Sequence, residues 1–196
     1  MKTFLKQLRP AILIFLAMTV ICGALYTGVI TGVAQLVFPR QANGSIITVT
    51  LPDGTKEEYG SELLALAGFS PDSALPRETL AKYLVGRPMT VSNLSPTADA
   101  QKALVARRID WWRGFDPDNH ADIPADLVAG SGSGVDPSVS PEAAEYQVAR
   151  IAKARDISAG EIRAVIGKYT SGRFLGFIGE PAVNVLKVNL ALDKLI

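Results

Sequence analysis

Residues 11–38 read AILIFLAMTVICGALYTGVITGVAQLVF, and this stretch decides how the chain is organised. The run lies between Pro10 and Pro39 and contains no charged residue. It exceeds the roughly 20 residues that a helix needs to cross the hydrocarbon core of a bilayer. A soluble helix that is apolar on every side would need a much larger protein around it. The sequence therefore predicts a transmembrane helix over residues 10–38.

A cleaved signal peptide is the main alternative for this run, because Gly32 and Ala34 place small residues at offsets that suit a leader peptidase. The apolar segment of a signal peptide is only about 7–15 residues long, roughly half of what is present here. A lipoprotein signal does not fit, since Ile21 precedes Cys22 where a small residue is required. The pattern favours an anchor that is retained.

The charges that flank the run predict its orientation. Lys2, Lys6 and Arg9 precede it, and basic residues mark the cytoplasmic side of a membrane helix. We therefore expect residues 1–9 in the cytoplasm and residues 39–196 outside, as one periplasmic or otherwise extracytoplasmic domain. The expected location is the cell (inner) membrane, crossed once.

Composition narrows the function further. The formal net charge is +1, which is too small to suggest nucleic acid as a partner. A chain of 196 residues holds one domain and an anchor rather than two large catalytic domains. Its single cysteine, Cys22, lies inside the apolar run, so neither an intramolecular disulfide nor a multi-cysteine metal site can form.

The outer domain is predicted to begin with a hairpin. Residues 45–51 are rich in β-branched side chains, residues 52–54 read Pro-Asp-Gly, and residues 55–59 supply the return strand. Residues 60–96 mix short helical pieces, such as 77–84, with Pro and Gly, and their fold is left open.

A helix is expected next, with Thr97 as its N-cap and an end near Arg113. Val105, Ile109 and Trp112 share one face of it by their i, i+4, i+7 spacing. We expect one side chain of the Trp-Trp pair at 111–112 to lie in the core.

Two further helices have clear start signals. Ser140 is the expected N-cap of the first, and Ala144, Val148 and Ile151 form its apolar stripe. The capping box Ser-Ala-Gly-Glu at 158–161 begins the second, which is expected to end near residue 172.

The C-terminal part of the chain looks like strand. Residues 174–178 and 183–192 are apolar, and the second segment changes phase near Val185, which predicts a β-bulge there. The predicted fold class is therefore α/β: a single N-terminal transmembrane helix followed by one extracytoplasmic α/β domain.

The run Gly-Ser-Gly-Ser-Gly at 130–134 could form a nest of backbone N–H groups, but it fits no catalytic or phosphate-binding template. A nucleophile elbow needs serine at the centre, where Gly132 stands, and a P-loop needs a lysine that is absent. A dinucleotide fingerprint needs glycine at the position of Val135.

The only histidine, His120, has no nucleophile beside it. With Asp116 and Asp118 it shares the first ligand spacings of a calcium loop, but Ala121 and Leu127 replace the glycine and the glutamate that such a loop needs. The chain also lacks an aspartyl-phosphate motif. We therefore expect no catalytic site of its own and no metal site, with chemistry supplied by partners.

Two stretches of the tail carry a family resemblance. They read PADLVAGSGSGVDPSVSPEAAEYQVARIAKARDIS at 124–158 and GRFLGFIGEPAVNVLKVNLALD at 172–193. Upstream, Gly-Arg-Pro at 86–88 and Ser-Asn-Leu-Ser-Pro-Thr at 92–97 add to them. In these motifs the chain resembles the C subunit of Kdp-type potassium-transporting P-type ATPases.

The resemblance implies an accessory subunit of a high-affinity potassium import complex. The implied partners are a potassium-channel-like A subunit, a P-type ATPase B subunit, a small F peptide and membrane lipid. The subunit would stabilise or assemble the complex, and act as a catalytic chaperone that raises the ATP affinity of the pump subunit. It would hold no cofactor itself, because ATP and potassium are handled by the complex.

Carried over onto this sequence, the resemblance nominates a nucleotide-binding or docking loop together with a glutamine: Ser131, Gly132, Ser133, Gly134 and Gln147. Its motifs also supply candidate interface positions: Asp136, Arg150, Glu180 and Asn184. A G-x-x-x-G pair in the anchor, which allows close helix approach, adds Gly28 and Gly32.

Two alternatives stay open at this stage. The loop either contacts nucleotide or docks on a subunit, and the expected topology favours docking because cellular ATP is absent outside. The chain as a whole is either that accessory subunit or a free-standing membrane-anchored binding module or enzyme. Co-purification with partner subunits separates these two.

Overall fold

The computed structural model describes residues 2–65 and 67–196, in two compact units that cover 1–45 and 46–196. Met1, which belongs to the predicted cytoplasmic segment, and Leu66 of the outer domain lie outside the described residues.

The N-terminal unit is helical almost throughout. Helix α1 (Lys2–Met18) continues through a π-helical stretch (Thr19–Tyr26) into α2 (Thr27–Val37), and the short α3 (Pro39–Ala42) follows. Residues 6–37 are long and apolar enough to cross a membrane, and none of their most apolar window is buried. We expected the helix to start at Pro10, but it begins eight residues earlier, at Lys2. Hydropathy indicates the length of helix that faces lipid and not the positions of the helix ends.

The predicted hairpin of the outer domain is confirmed. Strand β1 (Ile46–Thr50) pairs antiparallel with β2 (Lys56–Ser61). The turn is closed by the Gly54 N–H, which donates to the Leu51 carbonyl at 2.9 Å. The Asp53 carboxylate accepts from the Thr55 N–H at 2.9 Å. This Asx-type bond is the reason that Pro-Asp-Gly marks a turn here.

A 3₁₀ turn (Ala67–Phe69) and α4 (Arg77–Leu80) precede the long helix α5 (Asp99–Phe115). Two details of the predicted α5 are wrong. Ala98 occupies its N-cap and makes no side-chain cap, whereas the Thr97 hydroxyl lies 3.0 Å from Ser95 Oγ. The buried face contains Arg108 and Trp112, while Ile109 is exposed.

The spacing of apolar residues did not predict the buried face of α5, because Arg108, which lies on that face, is not apolar. Its guanidinium is accommodated inside by the Val128 carbonyl, at 3.0 Å. Of the tryptophan pair, Trp112 is the core residue, as expected for one of the two, and Trp111 is only partly buried.

The middle of the domain contains α6 (Ala125–Val128), β3 (Ser138–Val139), α7 (Pro141–Tyr146), α8 (Val148–Arg155) and α9 (Ala159–Lys168). Both predicted N-caps are confirmed. Ser140 accepts from the Ala143 N–H at 3.0 Å, and Ser158 forms the full capping box with Glu161. The three side chains of the stripe predicted for the first helix are buried, but they belong to two helices, α7 and α8, which are separated at Gln147.

The C-terminal prediction is wrong in part. Strand β4 (Thr170–Ser171) and strand β5 (Ala182–Asn184) are short, and residues that we expected to continue β5 form helix α10 (Val185–Leu192). The Asn184 side chain accepts from the Lys187 N–H at 3.0 Å and so caps α10. The phase change read as a bulge is therefore the switch from a period of two to a period of 3.6 residues.

The core lies where the three-stranded sheet, of order β3-β5-β4, meets α7 to α10 and the end of α5. Its largest fully buried side chains include Trp112, Leu80, Leu84, Leu127, Ile151 and Ile162. The mixed architecture confirms the α/β class, with one apolar helix before a domain that contains small sheets.

Candidate functional site

The Ser-Gly loop, residues 131–137, connects α6 to β3 and runs beside the Gly-Arg-Pro segment. The Ser131 N–H donates to the Pro88 carbonyl at 3.2 Å, and the Val135 carbonyl accepts from the Ala65 N–H at 2.9 Å. The loop is thus fixed on both sides by other parts of the outer domain.

Inside the loop the two serines bond to each other. Ser131 Oγ lies 3.1 Å from Ser133 Oγ, and Ser133 Oγ also accepts from the Val135 N–H at 3.2 Å. A turn bond from the Gly134 N–H to the Ser131 carbonyl, at 3.2 Å, closes the loop. Among the described residues neither hydroxyl has a carboxylate, amine or imidazole partner that could take its proton.

The two glycines of the loop differ in what they do. Gly134 has φ +71°, and a Cβ there would stand 2.7 Å from Val91 Cγ2 and 3.0 Å from the Met89 carbonyl oxygen. Gly132 has no positive φ, and a Cβ there would meet no atom of the described residues within 4 Å. From the sequence, both Gly132 and Gly134 are expected to allow a backbone path that residues with a Cβ would resist. The structure bears this out only for Gly134.

Arg87 ties the two ends of the loop together. Its Nε donates to the Ser138 carbonyl at 3.1 Å and lies 3.5 Å from the Asp136 carboxylate. Its Nη2 lies 3.7 Å from Asp126, which accepts from the Ser140 N–H at 2.7 Å. The Gly-Arg-Pro motif at 86–88 therefore meets, through this one arginine, residues on both sides of the Ser-Gly loop that lie much later in the chain.

A buried arginine that sequence reasoning missed lies under the loop. A Cβ on Gly130 would stand 3.6 Å from Arg108 Nη1, which donates to the Val128 carbonyl. The other two nitrogens of Arg108, Nε and Nη2, have no hydrogen-bond partner among the described residues. Burial lowers the pKa of this guanidinium. The only feature of the sequence that indicates the burial of Arg108 is its position one helical turn before Trp112.

Gln147 lies in the core, with none of its surface exposed. Its amide oxygen accepts from the Val85 N–H at 2.8 Å, and its amide nitrogen donates to the Val85 carbonyl at 2.9 Å and to the Ala143 carbonyl at 3.1 Å. Asn189 does the same for the neighbouring residue, since it bonds the Leu84 N–H at 2.8 Å and the Leu84 carbonyl at 2.9 Å. These two side chains, the amide clamps, satisfy a buried backbone segment that belongs to no sheet.

Arg150 supports the same segment. It is 7% exposed, and its Nη atoms donate to the carbonyls of Leu80, Ala81 and Tyr83 at 2.7–3.1 Å and to the Gln147 amide oxygen at 2.6 Å. Burial lowers its pKa to about 10, so it stays charged at neutral pH. Gln147 and Arg150 therefore act inside the domain, and contacts of either with nucleotide or with another subunit stay predictions.

The other nominated residues lie nearer the surface. Glu180 is exposed and pairs with Arg173 at 2.7 Å. Besides capping α10, Asn184 donates to the Glu62 carbonyl at 2.9 Å, and Glu62 in turn pairs with Lys187. In the N-terminal unit the faces at Gly28 and Gly32 are open, with nothing within 4 Å of a Cβ placed there.

His120 belongs to a different place from the Ser-Gly loop. It lines a cleft of about 800 Å³ with Tyr146, Glu145 and the ion pair between Asp118 and Lys153. Hydrogen bonding from the lysine, 2.9 Å away, lowers the pKa of Asp118. Neither serine of the loop lines this cleft. Within residues 2–65 and 67–196 no group of three or more His, Cys, Asp or Glu side chains could hold a metal ion.

Comparison with known proteins agrees with the motifs that meet at Arg87. The family model described as KdpC, the c chain of K⁺-transporting ATPases, matches residues 8–194. The potassium-transporting ATPase KdpC subunit of Listeria monocytogenes is 47% identical over 198 residues, which cover 100% of this chain and 99% of that protein. The KdpC subunits of Geobacter sulfurreducens and Methylococcus capsulatus are 44% and 41% identical, each over 97% of this chain and 99% of the relative.

Proposed function

Because the chain belongs to the KdpC family, it is an accessory subunit of a potassium-transporting ATPase complex, and we propose that its outer domain serves that complex through assembly and conformation rather than through chemistry of its own. The observation that carries the proposal is the state of the two loop serines. Each hydroxyl bonds the other or backbone, and neither faces a base in the part of the chain that the structure describes. What the loop offers a partner is a fixed shape, with Gly132 and Ser133 exposed.

The proposed partners are the channel-like A subunit, the P-type ATPase B subunit and the small F peptide. In this arrangement ATP and potassium are bound by those subunits, and the present chain raises the ATP affinity of the pump subunit indirectly. The buried positions of Gln147 and Arg150 support an indirect effect. A nucleotide could reach the Gln147 amide only if the backbone at Val85 moved away from it.

The anchor is proposed to remain uncleaved and to cross the inner membrane once. Its uncharged apolar run, residues 11–38, is about twice as long as the apolar part of a signal peptide. Basic residues at its N-terminal side support a cytoplasmic N-terminus and an outer domain in the periplasm or its equivalent. Gly28 and Gly32 provide an open face on which another membrane helix can pack closely.

Protease added to intact spheroplasts should therefore digest the outer domain and leave the anchor in the membrane. The reason is that every residue after the span would be accessible from outside. The check is an immunoblot against a C-terminal tag, with a cytoplasmic protein as the control for intact cells. If the tag survives until the membrane is permeabilised, the orientation is the reverse of the one proposed.

Ser133→Ala should leave both assembly and turnover nearly unchanged. The variant loses the part-buried contact with the buried Ser131 hydroxyl and the exposed bond from the Val135 N–H, together worth about 1–2 kcal/mol of stability. The measurement is recovery of the partner subunits with the tagged chain in mild detergent, followed by potassium-stimulated ATPase activity. Lost turnover with assembly intact would show a direct chemical role for the hydroxyl. Recovery of the wild-type chain alone, with hydrolase activity, would instead favour a free-standing enzyme.

A further inference from the structure

The cleft of about 800 Å³ that His120 lines lies between the loop after α5 and the helices α7 and α8. Two of its lining residues are basic, whereas five are acidic: Asp116, Asp118, Asp122, Glu142 and Glu145. Apolar side chains line it as well, among them those of Pro124, Pro141 and Ala149. We call this feature the acidic cleft. An excess of carboxylates beside an apolar wall suits a ligand that is positively charged and partly apolar.

Three of the five carboxylates form no ion pair within the described part of the chain: Asp116, Asp122 and Glu142. The first of these is 9% exposed, whereas the other two are in contact with solvent. The remaining two carboxylates are neutralised, Asp118 by Lys153 at 2.9 Å and Glu145 by Arg163 at 2.6 Å. The uncompensated negative charge therefore lies partly inside the acidic cleft and partly at its rim.

The Asp116 carboxylate is weakly satisfied for a buried charge. Among the described residues, its one side-chain hydrogen bond comes from Asn119 Nδ2, at 3.4 Å. Burial lowers the pKa of the neighbouring Arg150, and the charge of Asp116 counteracts that fall. The Nη atoms of the arginine nevertheless donate to backbone carbonyls and to the Gln147 amide, so they make no direct contact with this carboxylate. A buried carboxylate with one long hydrogen bond is costly unless a cation contacts it.

Tyr146 supplies a second polar group at the same place. It lines the acidic cleft and is 8% exposed, and its hydroxyl has no hydrogen-bond partner among the described residues. Burial raises the pKa of this phenol, Arg113 lowers it, and the charge of Asp116 raises it, which indicates that the hydroxyl lies near that carboxylate. The ring is held edge-on to Trp112, at a centroid distance of 5.9 Å. A buried hydroxyl without a partner costs stability, and its presence is explained where a ligand bonds to it.

We propose that the acidic cleft binds an aliphatic diamine or polyamine, with one ammonium group at Asp116 and Tyr146 and another at the rim. An ammonium group has three N–H donors and no acceptor, so it can bond to the carboxylate and to the phenol oxygen together. The second ammonium meets Asp122 or Glu142, and the aliphatic stem packs on the apolar wall. A metal ion fits less well, because within the described residues no three acidic or His side chains could hold one. This site is independent of the proposed assembly role.

Isothermal titration calorimetry of the full chain in mild detergent tests the site, with the diamine cadaverine as the probe. We expect saturable binding at low ionic strength, with a Kd of about 1 mM or below. Pentane-1,5-diol has the same stem without the charges, and it should bind at least about tenfold more weakly. Equal affinities for the two probes, or no saturable binding of cadaverine, would overturn the proposal.

Tyr146→Phe separates a ligand-binding role of the hydroxyl from a structural one. Cadaverine binding should weaken about five- to tenfold. The denaturant midpoint of unfolding should stay the same or rise, because the hydroxyl makes no bond within the described residues. Tyr83→Phe is the matched control, since the Tyr83 hydroxyl donates to the Asp193 carboxylate at 3.0 Å away from the cleft, so this change should lower the midpoint and leave binding unchanged. A lower midpoint with unchanged binding in Tyr146→Phe would refute the site.

Asp116→Asn tests the charge inside the cleft at nearly constant side-chain volume. Without the carboxylate the ammonium loses its charge-assisted hydrogen bond, so cadaverine binding should weaken at least about tenfold. Glu58→Gln removes an exposed carboxylate in β2 that does not line the cleft, and it should change the affinity less than about twofold. Unchanged affinity in Asp116→Asn would contradict the proposal. Equal losses in Asp116→Asn and Glu58→Gln would contradict it as well, because they would indicate attraction by the overall charge of the chain.

Discussion

Gln147→Leu is expected to destabilise the outer domain by about 3–5 kcal/mol, a large part of the stability of a domain of this size. Leucine fills a similar volume but offers no hydrogen bond. It would leave the Val85 N–H and the Val85 carbonyl unpaired in the core, and it would also remove the amide oxygen that Arg150 uses. Each unsatisfied buried group costs about 1–3 kcal/mol, and the charged partner adds to this.

Denaturant unfolding of the full chain in mild detergent measures this effect, with the fluorescence of Trp111 and the buried Trp112 as the signal. Gln101→Leu is the matched control, because Gln101 is partly exposed and, among the described residues, its side chain accepts from Ser92 Oγ alone, at 3.1 Å. That change should cost less than about 1 kcal/mol. If the two variants unfold at the same denaturant concentration, the amide clamp contributes nothing beyond an ordinary surface contact.

The two amide clamps should also depend on each other. Asn189 holds Leu84 as Gln147 holds the next residue, so loss of either clamp frees the segment that the other one binds. The double variant Gln147→Leu with Asn189→Leu should therefore cost less than the sum of the single variants. Simple additivity would mean that the two side chains stabilise independent parts of the domain.

The hydrogen bonds of the two amide clamps could not be predicted from the sequence. Gln147 and Val85 are 62 positions apart, and Asn189 and Leu84 are 105 positions apart. Neither Val85 nor Leu84 belongs to a regular strand. No periodicity in the sequence therefore indicates that their backbone needs a hydrogen-bond donor and acceptor from another part of the chain. The resemblance drew attention to Gln147, but as a candidate for nucleotide or docking, and Asn189 was missed altogether.

What could be predicted depends on local chemistry. The anchor follows from an uncharged run that is long enough to span a bilayer, and the caps at Ser140 and Ser158 follow from side chains that bond their own helix ends. The helix after Asn184 was predicted as strand because short apolar runs fit both periods. Its asparagine cap was the local signal that could have decided the matter.

For the Ser-Gly loop, too, only part of the structure could be predicted from the sequence. That its glycines carry a conformational demand could be read from sequence, but which glycine carries it depends on neighbours from a distant segment. Val91 and Met89 approach Gly134, whereas no residue that the structure describes comes within 4 Å of a Cβ placed on Gly132. The fold therefore makes Gly134, and not Gly132, the glycine of this loop whose substitution should be more damaging.

Gly134→Val is the second variant with a large expected effect. A β-branched residue at φ +71° costs about 1–3 kcal/mol in backbone strain, and its Cβ would stand 2.7 Å from Val91 Cγ2. Relief of that overlap requires movement of the loop, at a further cost of about 1–3 kcal/mol. The turn bond to the Ser131 carbonyl would be lost with the movement. We expect recovery of partner subunits and potassium-stimulated ATPase activity to fall together.

Gly132→Val is the matched control, because it adds the same side chain two residues away in open space without positive φ. Its effect on stability should be within about 0.5 kcal/mol. Because Gly132 is exposed where a partner would dock, a loss of assembly in Gly132→Val at unchanged stability would place the contact on the loop surface itself. Normal assembly and turnover in Gly134→Val, despite a deformed loop, would remove the Ser-Gly loop from the docking surface and leave that role to other parts of the domain.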